Sequence, residues 1–122
     1  MEAEHRVQIG LLRALREALE RGESDRPVSG DLAEQLLEYS QVHFLSEQLL
    51  MRLYAYPAHD EHVQEHDGLL ERLQGVLRQW QLGELAAAGE LLDTLEDWLL
   101  VHMTTSDDLL QKYLVDHGRV PA

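Results

Sequence analysis

The sequence predicts an all-α protein, an up-down-up-down four-helix bundle with a short C-terminal helix. Three observations carry this expectation. Apolar residues recur at three- and four-residue steps through four long segments, no segment alternates with period two or shows an Asn-Gly hairpin signal, and the connections are short. The chain has 122 residues, the length of one domain able to bury its own core, so residues 1–122 are read as a single domain.

The first helix carries Val7, Leu11, Leu12, Leu15 and Leu19 and runs to about residue 21. Residues 22–29 (GESDRPVS) collect Gly, Ser, Asp and Pro and read as the longest loop. From about Gly30 the pattern resumes at Leu32, Leu36, Leu37, Tyr39, Val42, Phe44, Leu45, Leu49, Leu50 and Leu53, ending before Pro57. A third run over 59–81 places Val63, Leu69, Leu70, Leu73, Val76, Leu77 and Trp80 on one stripe, with Gly83 as its C-terminal cap. A fourth spans about 84–103. Thr104-Thr105-Ser106 then breaks the helix, and Ser106 is expected to cap a short one from Asp107 to about Val115. Residues 116–122 read as a tail or linker, which suits a domain excised from a larger signalling protein.

The charge balance is 10 Lys+Arg against 23 Asp+Glu, a formal net charge of −13. With no basic run, this disfavours nucleic acid and anionic membrane surfaces as partners. The excess on the fourth helix (Glu84, Glu90, Asp93, Glu96, Asp97) reads as a solvated face. No segment approaches the ~20 apolar residues of a membrane span, and the N-terminal MEAEHRVQ lacks an apolar signal core; a cytoplasmic location is expected. Cysteine is absent, which excludes thiolate metal sites, iron–sulfur clusters and cysteine nucleophiles.

The seven histidines are the distinctive feature. His43 and Glu47 are four apart on the second helix, and His62 and His66 share that spacing on the third, so each pair lies on one helix face. An i,i+4 polar pair is ordinarily a contact on a solvated face; two such pairs on two helices, beside apolar stripes, point inward. His5 on the first helix and His102 on the fourth extend the set. Asp107, five residues after His102, would lie about 140° away on an ideal helix, so both meet one site only across a break. Five imidazoles and two carboxylates suit two first-row metal ions. If Glu47 and Asp107 each bridge, a three-His ion and a two-His ion result, and one solvent bridge leaves the latter with an open position. His59 and His117 have no partner at metal spacing and read as surface residues.

The stretch Tyr39 to Glu47 (YSQVHFLSE), Met51, Tyr56-Pro57, His62, His66, and Trp98 to His102 (WLLVH) with Asp107 resembles the hemerythrins, especially bacterial hemerythrin-like domains, from His5 to about Tyr113. The resemblance implies a non-haem di-iron centre, two iron ions with an oxo or hydroxo bridge. His62, His66 and His102 would hold the saturated iron, His5 and His43 the iron with the open position, and Glu47 and Asp107 would bridge. It implies reversible O2 binding as hydroperoxide, as an oxygen or redox sensor or carrier and not as an enzyme, with NO or small anions as competing ligands. Gln8, Ile9, Phe44, Trp98, Leu99 and Met103 are expected to line the ligand pocket. Gln8 departs from the family, which usually has a large apolar residue there; Gln48 stands where many relatives have Glu and is placed beside the site. Only four residues precede His5, fewer than in stand-alone relatives.

A ferritin-like oxidase would use more carboxylates and Glu-x-x-His spacing. The alternatives carried forward are a sensory module of a multidomain protein, of the diguanylate cyclase or chemoreceptor type, and a purely structural bundle. Oligomeric state is not legible in the sequence.

Overall fold

The computed structural model describes residues 2–22 and 26–117. It contains five helices: α1 (Glu2–Glu20), α2 (Arg26–Leu53), α3 (His59–Gln81), α4 (Leu85–Thr104) and α5 (Ser106–Asp116). No strand occurs among the described residues. Packing of α1 on α2, α2 on α3, α3 on α4 and α4 on α1 closes a four-helix ring, and α5 extends from α4. The bundle is thus the expected one. Among the described residues no helix is long and apolar enough to cross a membrane. The expected loop is described only outside residues 23–25, and most of the expected tail, residues 118–122, lies outside the described residues.

The main core is built from Leu12, Leu15, Leu36, Leu69, Leu73, Val76, Leu92 and Leu95, all buried. A second cluster of Met51, Leu110 and Leu114, with Tyr54, Tyr56 and Tyr113 packed against it, fixes α5 to the end of α2. There the Tyr113 hydroxyl donates to the Tyr54 carbonyl at 2.6 Å. Both ion pairs of Arg16, to Asp93 at 2.8 Å and Glu96 at 3.1 Å, tie α1 to α4. The acidic stretch of the fourth helix is therefore not wholly a solvated face.

α2 starts at Arg26, about four residues before the expected start. Pro27 falls in its first turn, where a missing N–H costs nothing. Gly30 is an interior position of α2: a Cβ there would overlap the Trp80 indole, whose N–H donates to Ser29 Oγ at 2.9 Å.

The apolar stripe expected for α2 needs correction. Val42, Leu45, Leu49 and Leu53 are 59 to 71 % exposed. The inward face carries Ala33, Leu36, Ser40, His43, Phe44, Glu47 and Met51 instead. Polar groups occupy the core-facing positions midway along α2, so part of its apolar periodicity belongs to the opposite face. On α1, similarly, Val7 is exposed while Gln8 is buried.

Two helix ends share one capping geometry. After α3, Gly83 adopts φ 78°, its N–H bonding Trp80 O and that of Glu84 bonding Gln79 O. After α2, Ala55 holds the equivalent place at φ 49°, its N–H on Arg52 O and that of Tyr56 on Met51 O. This is the left-handed cap that favours glycine.

The break between α4 and α5 falls at Thr105 (φ −117°, ψ −76°). The Thr104 and Thr105 hydroxyls bond back to the Leu100 and Val101 carbonyls, which competes with continuation of the helix. Ser106 does not cap α5, contrary to expectation; its hydroxyl donates to Glu65 Oε1 on α3 at 2.6 Å.

Candidate metal centre

The ring of helices places His5 (α1), His43 and Glu47 (α2), His62 and His66 (α3), His102 (α4) and Asp107 (α5) at one level of the bundle. The i,i+4 pairs face inward because their helices bury that face, and the break at Thr105 turns Asp107 back toward His102. All except partly exposed His5 are buried.

The two carboxylates divide the imidazoles into two sets. Asp107 Oδ1 lies 3.0 Å from Nε2 of both His62 and His102, while Oδ2 lies 2.9 Å from His5 Nε2. Glu47 Oε1 lies 2.9 Å from His66 Nε2 and 3.6 Å from His62 Nε2, while Oε2 lies 3.4 Å from His43 Nε2. Two donor groups result, Glu47/His62/His66/His102/Asp107 and His5/His43/Glu47/Asp107, the ligand atoms of each within 4.8 Å of one another. Both carboxylates belong to both groups.

These approaches are close but lack hydrogen-bond directionality. Nε2 of His5, His43, His62, His66 and His102, both Glu47 oxygens and both Asp107 oxygens are buried without a hydrogen-bond partner. Orphaned buried polar atoms cost roughly 1–3 kcal/mol each. A convergent set of imidazole nitrogens and carboxylate oxygens is relieved of that cost by cations, and the donor chemistry suits iron or a neighbouring first-row metal. The residues therefore fit a two-metal centre.

Electrostatics agree. Burial opposes ionisation of Asp107, but the imidazoles of His102, His5 and His62 outweigh it and hold the carboxyl well below its usual range. Burial likewise opposes ionisation of Glu47, and His62 and His66 overcome it. Burial favours a neutral His62, yet contact with Asp107 and Glu47 pushes it up to about 9. His102 is raised because Asp107 and Glu65 outweigh its burial. At His66 burial prevails, and its pKa is lowered.

The outer ring nitrogens are held from behind. Gln48 Oε1 meets His66 Nδ1 at 3.0 Å, so Gln48 stands beside the site as expected. Glu65 Oε1 meets His102 Nδ1 at 2.9 Å. Sequence reasoning missed Glu65; its three-residue offset from His62 was the available signal. Such outer partners fix ring orientation and tautomer. Glu4 Oε1 is 3.7 Å from His43 Nδ1, beyond a hydrogen bond.

Of the expected pocket residues, Phe44 stacks on His66 with ring centroids 4.1 Å apart and planes 10° from parallel. Gln8, Phe44 and Leu99 line a cavity of about 10 Å³ with Ser40, Leu12 and Leu95, space for one water. Gln8 is 1 % exposed; its amide N–H donates to Ser40 Oγ at 3.0 Å, and its Oε1 has no partner. Met103 is buried and Ile9 packs against the same core. Trp98 requires correction: it is 51 % exposed, stacks beneath the Arg72 guanidinium at 3.7 Å, and lines an open groove outside His102. One turn before His102 and about 40° round the helix from it, it lies at the margin of the buried face of α4. His59 and His117 lie apart from the cluster, His59 against Asp60 and His117 on the Tyr113 ring.

The family described as "Hemerythrin HHE cation binding domain" matches residues 1–114. A protein named "Bacteriohemerythrin" from Ralstonia nicotianae (strain ATCC BAA-1114 / GMI1000) is 27 % identical over 82 residues, 67 % of this chain and 60 % of that protein. The chain thus spans about 60 % of that relative's length. No solved structure gives a significant match.

Proposed function

The chain belongs to the hemerythrin family, and from this we propose that it is a di-iron O2-binding domain acting as an oxygen or redox sensor or carrier, not an enzyme. The observation that carries the reading is the division of Glu47 and Asp107 between two imidazole sets. His62, His66 and His102 would hold one iron and His5 and His43 the other, with Glu47 and Asp107 available to both. On that count the His5/His43 set offers fewer protein donors, which would leave room for a diatomic ligand. When bound, the iron pair would supply reversible two-electron reduction of O2.

The chain's own residues set the surroundings. Phe44, stacked on His66, and Leu99 exclude bulk water, which slows irreversible oxidation. Gln48 and Glu65 hold the outer nitrogens of His66 and His102 and keep Nε2 aimed inward. Gln8, a hydrogen-bonding group one turn beyond His5, favours a second reading in which conversion to the ferric state, or NO binding, is itself the signal. The output domain is then another part of a longer cytoplasmic protein.

The test is a visible spectrum of protein loaded anaerobically with ferrous ion, exposed to O2, then flushed with inert gas, with iron quantified per chain. A charge-transfer band that comes and goes with O2, at two irons per chain, supports reversible binding. A one-way change to a stable ferric spectrum favours the redox-sensing reading. Absence of iron returns the protein to a structural role. His43→Ala or His102→Ala should remove bound iron and visible absorption together; unchanged iron refutes the ligand assignment.

A further inference from the structure

Val42, Leu45, Leu49 and Leu53 stand on the outer face of α2, and each is more than half exposed. At 100° per residue they fall within an arc of about 80°. Three- and four-residue steps make this a seam of the kind that packs against another helix. From Tyr39 to Met51 the only charge-bearing residue types are His43 and Glu47, and both are buried in the metal centre. Three turns of outer surface therefore carry no charge, flanked by Gln41 and Ser46, in a chain with 27 % charged residues and a net charge of −13. Such a face can be desolvated without stranding a charge.

We propose that this face pairs with the same face of a second copy of the chain, α2 against α2 in antiparallel orientation about a two-fold axis near Leu45. A two-fold contact requires a self-complementary patch, and the sequence supplies one. Setting Leu45 opposite its own copy brings Val42 within one residue, about 1.5 Å of helix rise, of the position opposite Leu49. The same register brings Glu38, at the N-terminal end of the seam, opposite Arg52 at its C-terminal end. Glu38 lies on the seam and Arg52 at its edge, so each end of the contact closes with an opposite-charge pair. A parallel pairing would set Glu38 against Glu38 and Arg52 against Arg52. The apolar patch is on the order of 400 Å², below the ~800 Å² per partner of a standard interface, so the dimer is weak and reversible. The pairing is independent of the metal reading, though α2 carries His43 and Glu47 on the reverse of the same turns.

The test is sedimentation velocity of the full chain from about 1 to several hundred micromolar at physiological salt. The weight-average mass should climb from the 14.0 kDa of one chain toward twice that value. Leu45→Glu should hold it at the monomer value, with helical circular dichroism and metal content as controls that the fold survives. Glu38→Arg and Arg52→Glu, each placing like charges at both ends of the contact, should each weaken association roughly tenfold, and the double variant should recover it. A single mass across the concentration range overturns the proposal. Association unaffected by Leu45→Glu, or a double variant no tighter than the singles, overturns the assigned face or its antiparallel register.

Discussion

Glu65 Oε1 lies 2.9 Å from Nδ1 of His102, and the same oxygen accepts from the Ser106 hydroxyl at 2.6 Å. One exposed-side carboxylate of α3 thus orients the His102 imidazole of α4 and fastens the start of α5, whose next residue is Asp107. Glu65→Gln should weaken metal retention by about 10- to 100-fold while leaving the helical spectrum intact. Competition with a chelator of known affinity measures this. Retention equal to the parent protein would make the Glu65 contact incidental.

Gln8 and Ser40 are the polar residues lining an otherwise apolar cavity, and the Gln8 amide oxygen has no partner there. Gln8→Leu should slow conversion of the oxygenated protein to its ferric form, followed as decay of the visible band, because it removes a polar group that can hold water near the site. An unchanged rate removes Gln8 from the ligand's surroundings.

In the metal-free protein burial disfavours the charged form of His62, but Asp107 and Glu47 raise it to about 9, so a proton occupies the ring at pH 7. Metal must displace that proton. Loading with ferrous or zinc ion in weak buffer at pH 7 should release protons, and affinity should fall as the pH is lowered. The sign for stability is opposite. A raised histidine pKa contributes fully below about pH 6.5, and that contribution is lost as the pH rises through about 9. The lowered Asp107 and Glu47 contribute above the ordinary carboxylate range and lose their contribution in acid. Urea titrations with chelator present, at a series of pH values, should show the His62 loss on the alkaline side.

Ala55 adopts φ 49° at a cap where α3 uses Gly83. Ala55→Gly should stabilise the fold by about 0.5–1 kcal/mol, and Gly83→Ala should destabilise it by a similar amount. Thermal or urea denaturation compares them. A destabilising Ala55→Gly would mean that lost chain entropy outweighs relieved strain.

Gly30 faces the Trp80 indole with no room for a Cβ. Gly30→Ala should cost about 1–3 kcal/mol through overpacking, more than helix propensity would return. Denaturation midpoints measure it, and a neutral result would show that the indole shifts freely.

The helices were legible because each buries a stripe with 3.6-residue spacing, and α3 has its expected bounds at residues 59–81. The start of α2 was obscured because Pro27 and Ser29 resemble loop punctuation; Pro27 falls in the first turn, and Ser29 is buried within the helix, accepting from the indole of Trp80, 51 residues away. The outer stripe of α2 was misread for a different reason. Periodicity marks an apolar face but not which way it points, and α2 has two.

What the sequence determined by itself was the helical bundle and the inward-facing pairs His43/Glu47 and His62/His66, since i,i+4 spacing on one helix places two side chains on one face. Tertiary structure alone decided how Glu47 and Asp107 divide between the two imidazole sets, that Glu65 stands behind His102, and that Trp98 faces outward. Each depends on contacts between helices far apart in the chain, and a three-residue helical spacing cannot encode the rotation of one helix against another.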